Sequence, residues 1–222
     1  MITQLKQHTH IDNPFDTLSN KNTSKPNDDK NAHSGARFSF ATALHVNFKG
    51  NQIQYDCPAQ NDELLTYFNA VQETIEQYGG RISELDCDSF LVLFDNSEQA
   101  QRNATDAILA AKEMMAQLVT LNKSRKLRDK IPFRIGIGIS SGAVPQHPPT
   151  IKFEEIQNNP INTASYISTL NKNAPVHAVY VSKQTQSLLK NSPLYDHLAL
   201  LGQTQFKPQE TPVHIYALIH SI

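Results

Sequence analysis

The sequence predicts an α+β sandwich, with helices packed on an antiparallel sheet. Three observations carry that prediction. Apolar residues alternate with period two over residues 38–48 and 133–139, as in strands with one buried face. They recur at helical spacing over residues 64–78 and 100–118. These segments run strand, helix, strand, strand, helix, strand, which is the split, ferredoxin-like βαββαβ arrangement, here with a C-terminal extension.

The chain divides into residues 1–35 and a domain over residues 36–222. The stretch from Asn13 to Asn31 is mostly Asn, Asp, Lys, Ser, Thr and Pro. So few apolar groups cannot offset the entropy of ordering, so residues 1–35 are expected to be a disordered polar tail or linker. His8 and His10 have the spacing of a metal-binding pair, but no third His and no Cys stands near them.

In the domain, Phe38, Phe40, Thr42, Leu44, Val46 and Phe48 form one face of the first strand. Lys49-Gly50-Asn51 ends it. Asn61-Asp62-Glu63 opens a helix, with a capping residue and acids in its first turn. Its stripe is Leu64, Leu65, Phe68, Val71, Ile75 and Tyr78, and Gly79-Gly80 supplies a left-handed end. Strands follow over Arg81 to Asp86 and Ser89 to Phe94, with Cys87-Asp88 at their connection. Asp95-Asn96-Ser97 is expected to cap a long helix that fades into the basic run Lys123 to Lys130, a solvated helix end. Phe133 to Gly142 reads as a strand whose Gly136 and Gly138 admit a closely packed helix. Ala143 to Pro149 reads as an irregular loop. Asn159-Pro160 starts a further helix, with Pro in the first turn. Val176 to Val181 is a strand, Lys183 to Lys190 a short helix, and Leu198 to Leu201 and Val213 to Ile219 are closing strands.

Composition excludes several classes. Lys+Arg 20 against Asp+Glu 21 leaves a net charge of −1, which argues against a nucleic-acid binder driven by bulk charge. No apolar run approaches the ~20 residues of a membrane span, and no signal-peptide core is visible. Cys57 and Cys87 can form one bridge or remain free thiols; the second state fits a reducing cytoplasm. Gly138-Ile139-Ser140-Ser141-Gly142 matches the G-x-S-x-G hydrolase elbow, but that motif needs a helix directly after its Ser. The Pro-rich stretch through Pro149 forbids one. Gly136, Gly138 and Gly142 have the wrong spacing for a dinucleotide loop.

Several segments, in order, resemble the catalytic domain of class III nucleotidyl (adenylate/guanylate) cyclases. Ala41 to Gly50 is similar to that family's first strand, VTVLFADIRG. Glu84-Leu85-Asp86-Cys87-Asp88 with Phe90 to Phe94 is similar to its KxxGD strand pair. Arg134 to Gly142 is similar to RIGIGIHTG, Asn162-Thr163-Ala164-Ser165 to NLAS, and Pro212 to Tyr216 to PVEVY. The resemblance spans about residues 40–218.

That resemblance implies a reaction in which a ribose 3′-oxygen attacks the α-phosphate of ATP or GTP and expels pyrophosphate. Two divalent cations, Mg or Mn, assist it. The family holds them on two Asp, whose positions here are Asn47 and Asp88. Asn47 is neutral, so one of two bridging carboxylates is replaced; Asp86 or His45 is a conceivable substitute. The family's second subunit supplies an Asn and an Arg one helical turn apart, matched by Asn162 and Tyr166. Tyr166 carries no fixed positive charge. Phe48, Lys49 and Gly50 match the family's nucleotide-contacting segment. Glu84 and Glu155 match its base-selecting positions, and Glu84 is of guanine type. Lys207, or Gln209, falls where a phosphate-binding Lys occurs.

The same residues also have plain structural readings. Asp88 suits a tight turn, Asn162 a capping region, Glu84 a strand surface and Tyr166 a core or interface. The expectation is therefore a cytoplasmic, catalytically degenerate cyclase-homology domain, a pseudoenzyme with a regulatory or dimerisation role in cyclic-nucleotide-type signalling. Its partner would be a second copy or another cyclase-like domain, with ATP or GTP as a possible ligand and no nucleic acid. The alternative is an active cyclase with non-standard metal ligands drawn from Asp88, Asp86, Glu84 and Glu155.

Overall fold

The computed structural model describes residues 38–49, 62–86, 88–96, 98–145, 159–170, 178–205 and 212–219. All lie within the unit His33–Ile222. The expected disordered tail, with His8 and His10, falls outside the described residues, as do Cys57 and Cys87.

The described elements are β1 (Phe38–Lys49), α1 (Asp62–Gln77), β2 (Arg81–Leu85), β3 (Ser89–Phe94), α2 (Ala100–Lys126) and β4 (Arg134–Pro145), followed by α3 (Pro160–Thr169), β5 (Ala178–Ser182), α4 (Lys183–Leu188), β6 (Leu198–Thr204) and β7 (Val213–Leu218). A 3-10 turn over Pro193–His197 precedes β6. The strands form one seven-stranded sheet in the order β2-β3-β1-β4-β5-β7-β6. Its first four positions are the ferredoxin-like order, and every pairing among them is antiparallel. The extension adds β5, which pairs with β4 in parallel, and the β6–β7 hairpin.

Period two in β1 separates the two faces of the sheet. Leu44, Val46 and Phe48 enter the main core with Leu64, Phe68, Val71 and Ile75 of α1 and Ala104, Ile108 and Ala111 of α2. Phe68 meets Phe90 edge-on, with ring centroids 5.6 Å apart. Burying each such side chain contributes roughly 1.5–3 kcal/mol. The opposite face carries a smaller cluster of Ala43, Leu91, Leu93 and Ala164. Ala164 belongs to α3, so α3 packs on the face opposite α1 and α2. The small residues Ala41, Ala43 and Gly138 on that side leave room for α3.

Three local expectations need correction. The stretch from Ala143 is not loop: β4 continues to Pro145, because β1 begins at Phe38 and its first residues need ladder partners. Pro145, at the end of the strand, is where a missing N–H is tolerated. Helix α2 is not capped by Asp95-Asn96-Ser97. It begins at Ala100 with Gln99 as N-cap and no side-chain cap bond. Asp95 instead accepts from Arg81 Nη2 at 2.8 Å, and Asn96 Nδ2 donates to the Gly79 carbonyl at 2.7 Å. These bonds tie the β2–β3 hairpin to the left-handed turn at Gly79, where φ is 73°. Finally, the basic run is not uniformly solvated. Arg125 is buried, ion-pairs with Glu63 of α1 and stacks on Phe133 with its guanidinium carbon 3.7 Å from the ring centroid.

Candidate functional site

The candidate metal half lies where the C-terminal end of β1 meets the β2–β3 hairpin. Asn47 is opposite Ser89 on β3 and Gly136 on β4. The Phe48 N–H donates to the Asp88 carbonyl at 2.7 Å, and the Asp86 N–H donates to the Ser89 carbonyl at 2.8 Å. These bonds hold the tight connection and set Asp88 beside Asn47. Asp86 and Asp88 are exposed, while Asn47 is half-buried. Glu84 is exposed on β2, at the edge of the described sheet. Phe48 turns into the core against Tyr67 and Phe90, so its side chain is a packing group rather than a nucleotide contact.

His45, two residues before Asn47, is on the α3-facing side of the sheet. Its Nδ1 lies 3.0 Å from Ser168 Oγ. Ser168 spends its single hydroxyl proton on the Ser165 carbonyl at 2.6 Å. The imidazole must therefore be the donor, which puts the proton of neutral His45 on Nδ1. Burial lowers the pKa of His45, against the opposing pull of Asp88 and Asp86. Ser168 carries no motif, and only the packing of α3 on β1 reveals this link.

Asn162 and Tyr166 lie one helical turn apart on α3, as the spacing predicts. Asn162 is exposed and Tyr166 half-buried. The Tyr166 hydroxyl donates to the Gln205 carbonyl at 3.2 Å and lies 3.1 Å from Thr204 Oγ1 at the end of β6. In the sheet, β4, β5 and β7 separate β6 from β1. The Tyr166 hydroxyl is thus directed away from the Asn47–Asp88 end. Gly50, Glu155, Lys207 and Gln209 lie outside the described residues, and Lys49 is described only as the end of β1.

The resemblance read from the sequence implies divalent cations at Asn47 and Asp88, and the donor set there does not fit a two-cation centre. One of its two bridging positions is a neutral amide. Among the described residues, no three His, Cys, Asp or Glu side chains converge to hold a metal ion. The other motif that suggests chemistry, at Ser140, is structural. Ser140 Oγ donates to Ser182 Oγ at 3.0 Å within a buried hydroxyl chain that includes Thr42, Ser141 and Thr185. It sits inside β4, not on an elbow.

Solved structures share this architecture. The adenylyl cyclase CyaB from P. aeruginosa matches with a TM-score of 0.68 at 21% identity, over 85% of this chain and 98% of that one. The guanylyl cyclase Cya2 matches at 0.61 and 21%, over 83% and 94%. An adenylate/guanylate cyclase/hydrolase from Silicibacter pomeroyi matches at 0.59 and 17%, over 84% and 99%. The chain has the fold of a class III nucleotidyl cyclase catalytic domain. At these identities the likeness establishes the cyclase fold, and the chemistry must be argued from the site. No protein-family model matches the sequence, and no curated protein matches it. Among the described residues, no helix is long and apolar enough to cross a membrane.

Proposed function

We propose that this chain is a catalytically degenerate cyclase-fold domain that regulates cyclic-nucleotide-type signalling in the cytoplasm by dimerising with a second copy or a related domain. The observation that carries the reading is Asn47, a neutral amide beside Asp88 where the cyclase fold calls for a second carboxylate. Cation chemistry at the α-phosphate needs anionic oxygen ligands to hold and bridge the metals, and an amide is a poor bridge. Tyr166 supports the same reading. Its hydroxyl is occupied by the end of β6, and a phenol supplies no positive charge for a phosphoryl transition state. Loss of such a cation costs roughly a thousandfold or more in rate.

The test is formation of cyclic product from ATP and from GTP with Mn²⁺, for the parent chain and for Asp88→Ala. No product is expected from either. Product from the parent that disappears in Asp88→Ala would overturn the proposal and make this an active cyclase with unusual ligands. The double substitution Asn47→Asp with Tyr166→Arg is expected to gain measurable activity, which would locate the loss at these two positions.

A further inference from the structure

The turn that closes α2 plays no part in the candidate site described above. We propose that it is a docking surface for an anionic lipid bilayer. Leu127 is 87% exposed and Ile131 63% exposed, the two most exposed large apolar side chains among the described residues. They stand four residues apart in one turn rather than scattered over the surface. They alternate with exposed Lys123, Lys126, Arg128 and Lys130, and Asp129 is the one acid between Lys123 and Ile131. Glu63 takes Arg128 and Lys130 as ion-pair partners and leaves the two lysines of the last helical turn facing outward.

The turn is held in shape. The Lys130 N–H donates to the Arg125 carbonyl at 3.0 Å and the Asp129 N–H to the Lys126 carbonyl at 3.1 Å. This is the Schellman pattern, with Asp129 in the left-handed position at φ 54°. Such a motif often packs an apolar residue back onto the helix, but here that position is Lys130 and the apolar groups point out. Beneath the turn, buried Arg125 donates from Nε to the Ile131 carbonyl at 2.9 Å. The turn therefore presents its aliphatic groups on a fixed base.

Cations around protruding aliphatic side chains match a bilayer surface, with lipid headgroups for the lysines and the acyl boundary for Leu127 and Ile131. A single-stranded nucleic acid would call for aromatic stacking groups, and the segment from Lys123 to Pro132 has none. Such contact holds the domain at a membrane surface without spanning it.

Co-sedimentation of the full chain with vesicles tests this. The vesicles would contain phosphatidylcholine alone or with about one-third phosphatidylserine, at about 0.1 M salt. The chain is expected to sediment only with the anionic vesicles. Lys123→Glu with Lys126→Glu should weaken binding by about fivefold or more per lysine. Leu127→Ser with Ile131→Ser should weaken it several-fold, with unchanged circular dichroism. Failure to bind anionic vesicles, or binding that neither pair alters, would overturn the proposal. So would capture by an acidic peptide or oligonucleotide without vesicle binding. If only the lysine pair matters, the aliphatic contact is refuted.

Discussion

Arg125 stands in a run of exposed bases, yet it is the buried one. Its guanidinium meets the Ile131 carbonyl and the face of Phe133 just beyond the helix, and Glu63, 62 residues away in sequence. Removing it leaves an under-compensated carboxylate at the start of α1 and an unpaired carbonyl in the turn. Arg125→Ala is expected to destabilise the domain by about 3 kcal/mol, the low end for a broken buried pair, because Arg128 and Lys130 still face Glu63. Arg125→Lys should recover little, since an ammonium lacks the planar fork that serves carboxylate, carbonyl and ring together. Urea unfolding measures both. A change below about 0.5 kcal/mol for Arg125→Ala would show that the pair is solvated. The same scale separates Asn47 from Tyr166. The backbone bond from Phe48 to Asp88 brings the strand end at Asn47 to the hairpin, whereas the Tyr166 hydroxyl goes to the end of β6.

Helix α3 rests on the sheet through a gap that one glycine keeps open. A Cβ at Gly138 would overlap the Ala164 carbonyl oxygen and stand 2.7 Å from the Ser168 backbone nitrogen. Both are backbone atoms of α3, so no side-chain rotation can make room. Gly138→Ala is expected to lift α3 from β1 and break the His45–Ser168 bond, costing about 3 kcal/mol or preventing folding. Thermal unfolding reads this directly. A loss of less than about 1 kcal/mol would mean that α3 slides without penalty. The glycines in the strand predict a helix against it, and here that prediction holds. The start of α2 is different. Asp95-Asn96-Ser97 has the composition of a cap, but Arg81 and the Gly79 carbonyl claim Asp95 and Asn96 first. Local propensity yields to a hairpin and a helix end that are distant in sequence.

Two groups make the stability of the whole domain sensitive to acid. Burial depresses the pKa of His45 below its ordinary 6.5, so the folded state favours the neutral ring. Its contribution is complete above that value and is lost as pH falls through the depressed one. Burial works against the charge of Glu63, but Lys130, Arg125 and Arg128 outweigh it and hold the pKa below the ordinary 4.5. That contribution is present above 4.5 and disappears as pH falls further. Stability should therefore decline in two steps on acidification, the first beginning near pH 6.5. His45→Gln should remove the first step in denaturant titrations and leave the second. A profile unchanged by that substitution would contradict the depressed pKa.

The sequence by itself determined the element order and the core faces of α1 and β4. These depend on periodicity and on short connections, which a chain reveals locally. Tertiary structure alone decided that α3 is the helix that fills the glycine face of β4, that β4 runs on to meet the start of β1, and that Arg125 turns inward. It also decided that the hydroxyl of Tyr166 is taken by Thr204 and Gln205. Each of these depends on a partner far along the chain, and a side chain's periodic position does not say which distant group will meet it.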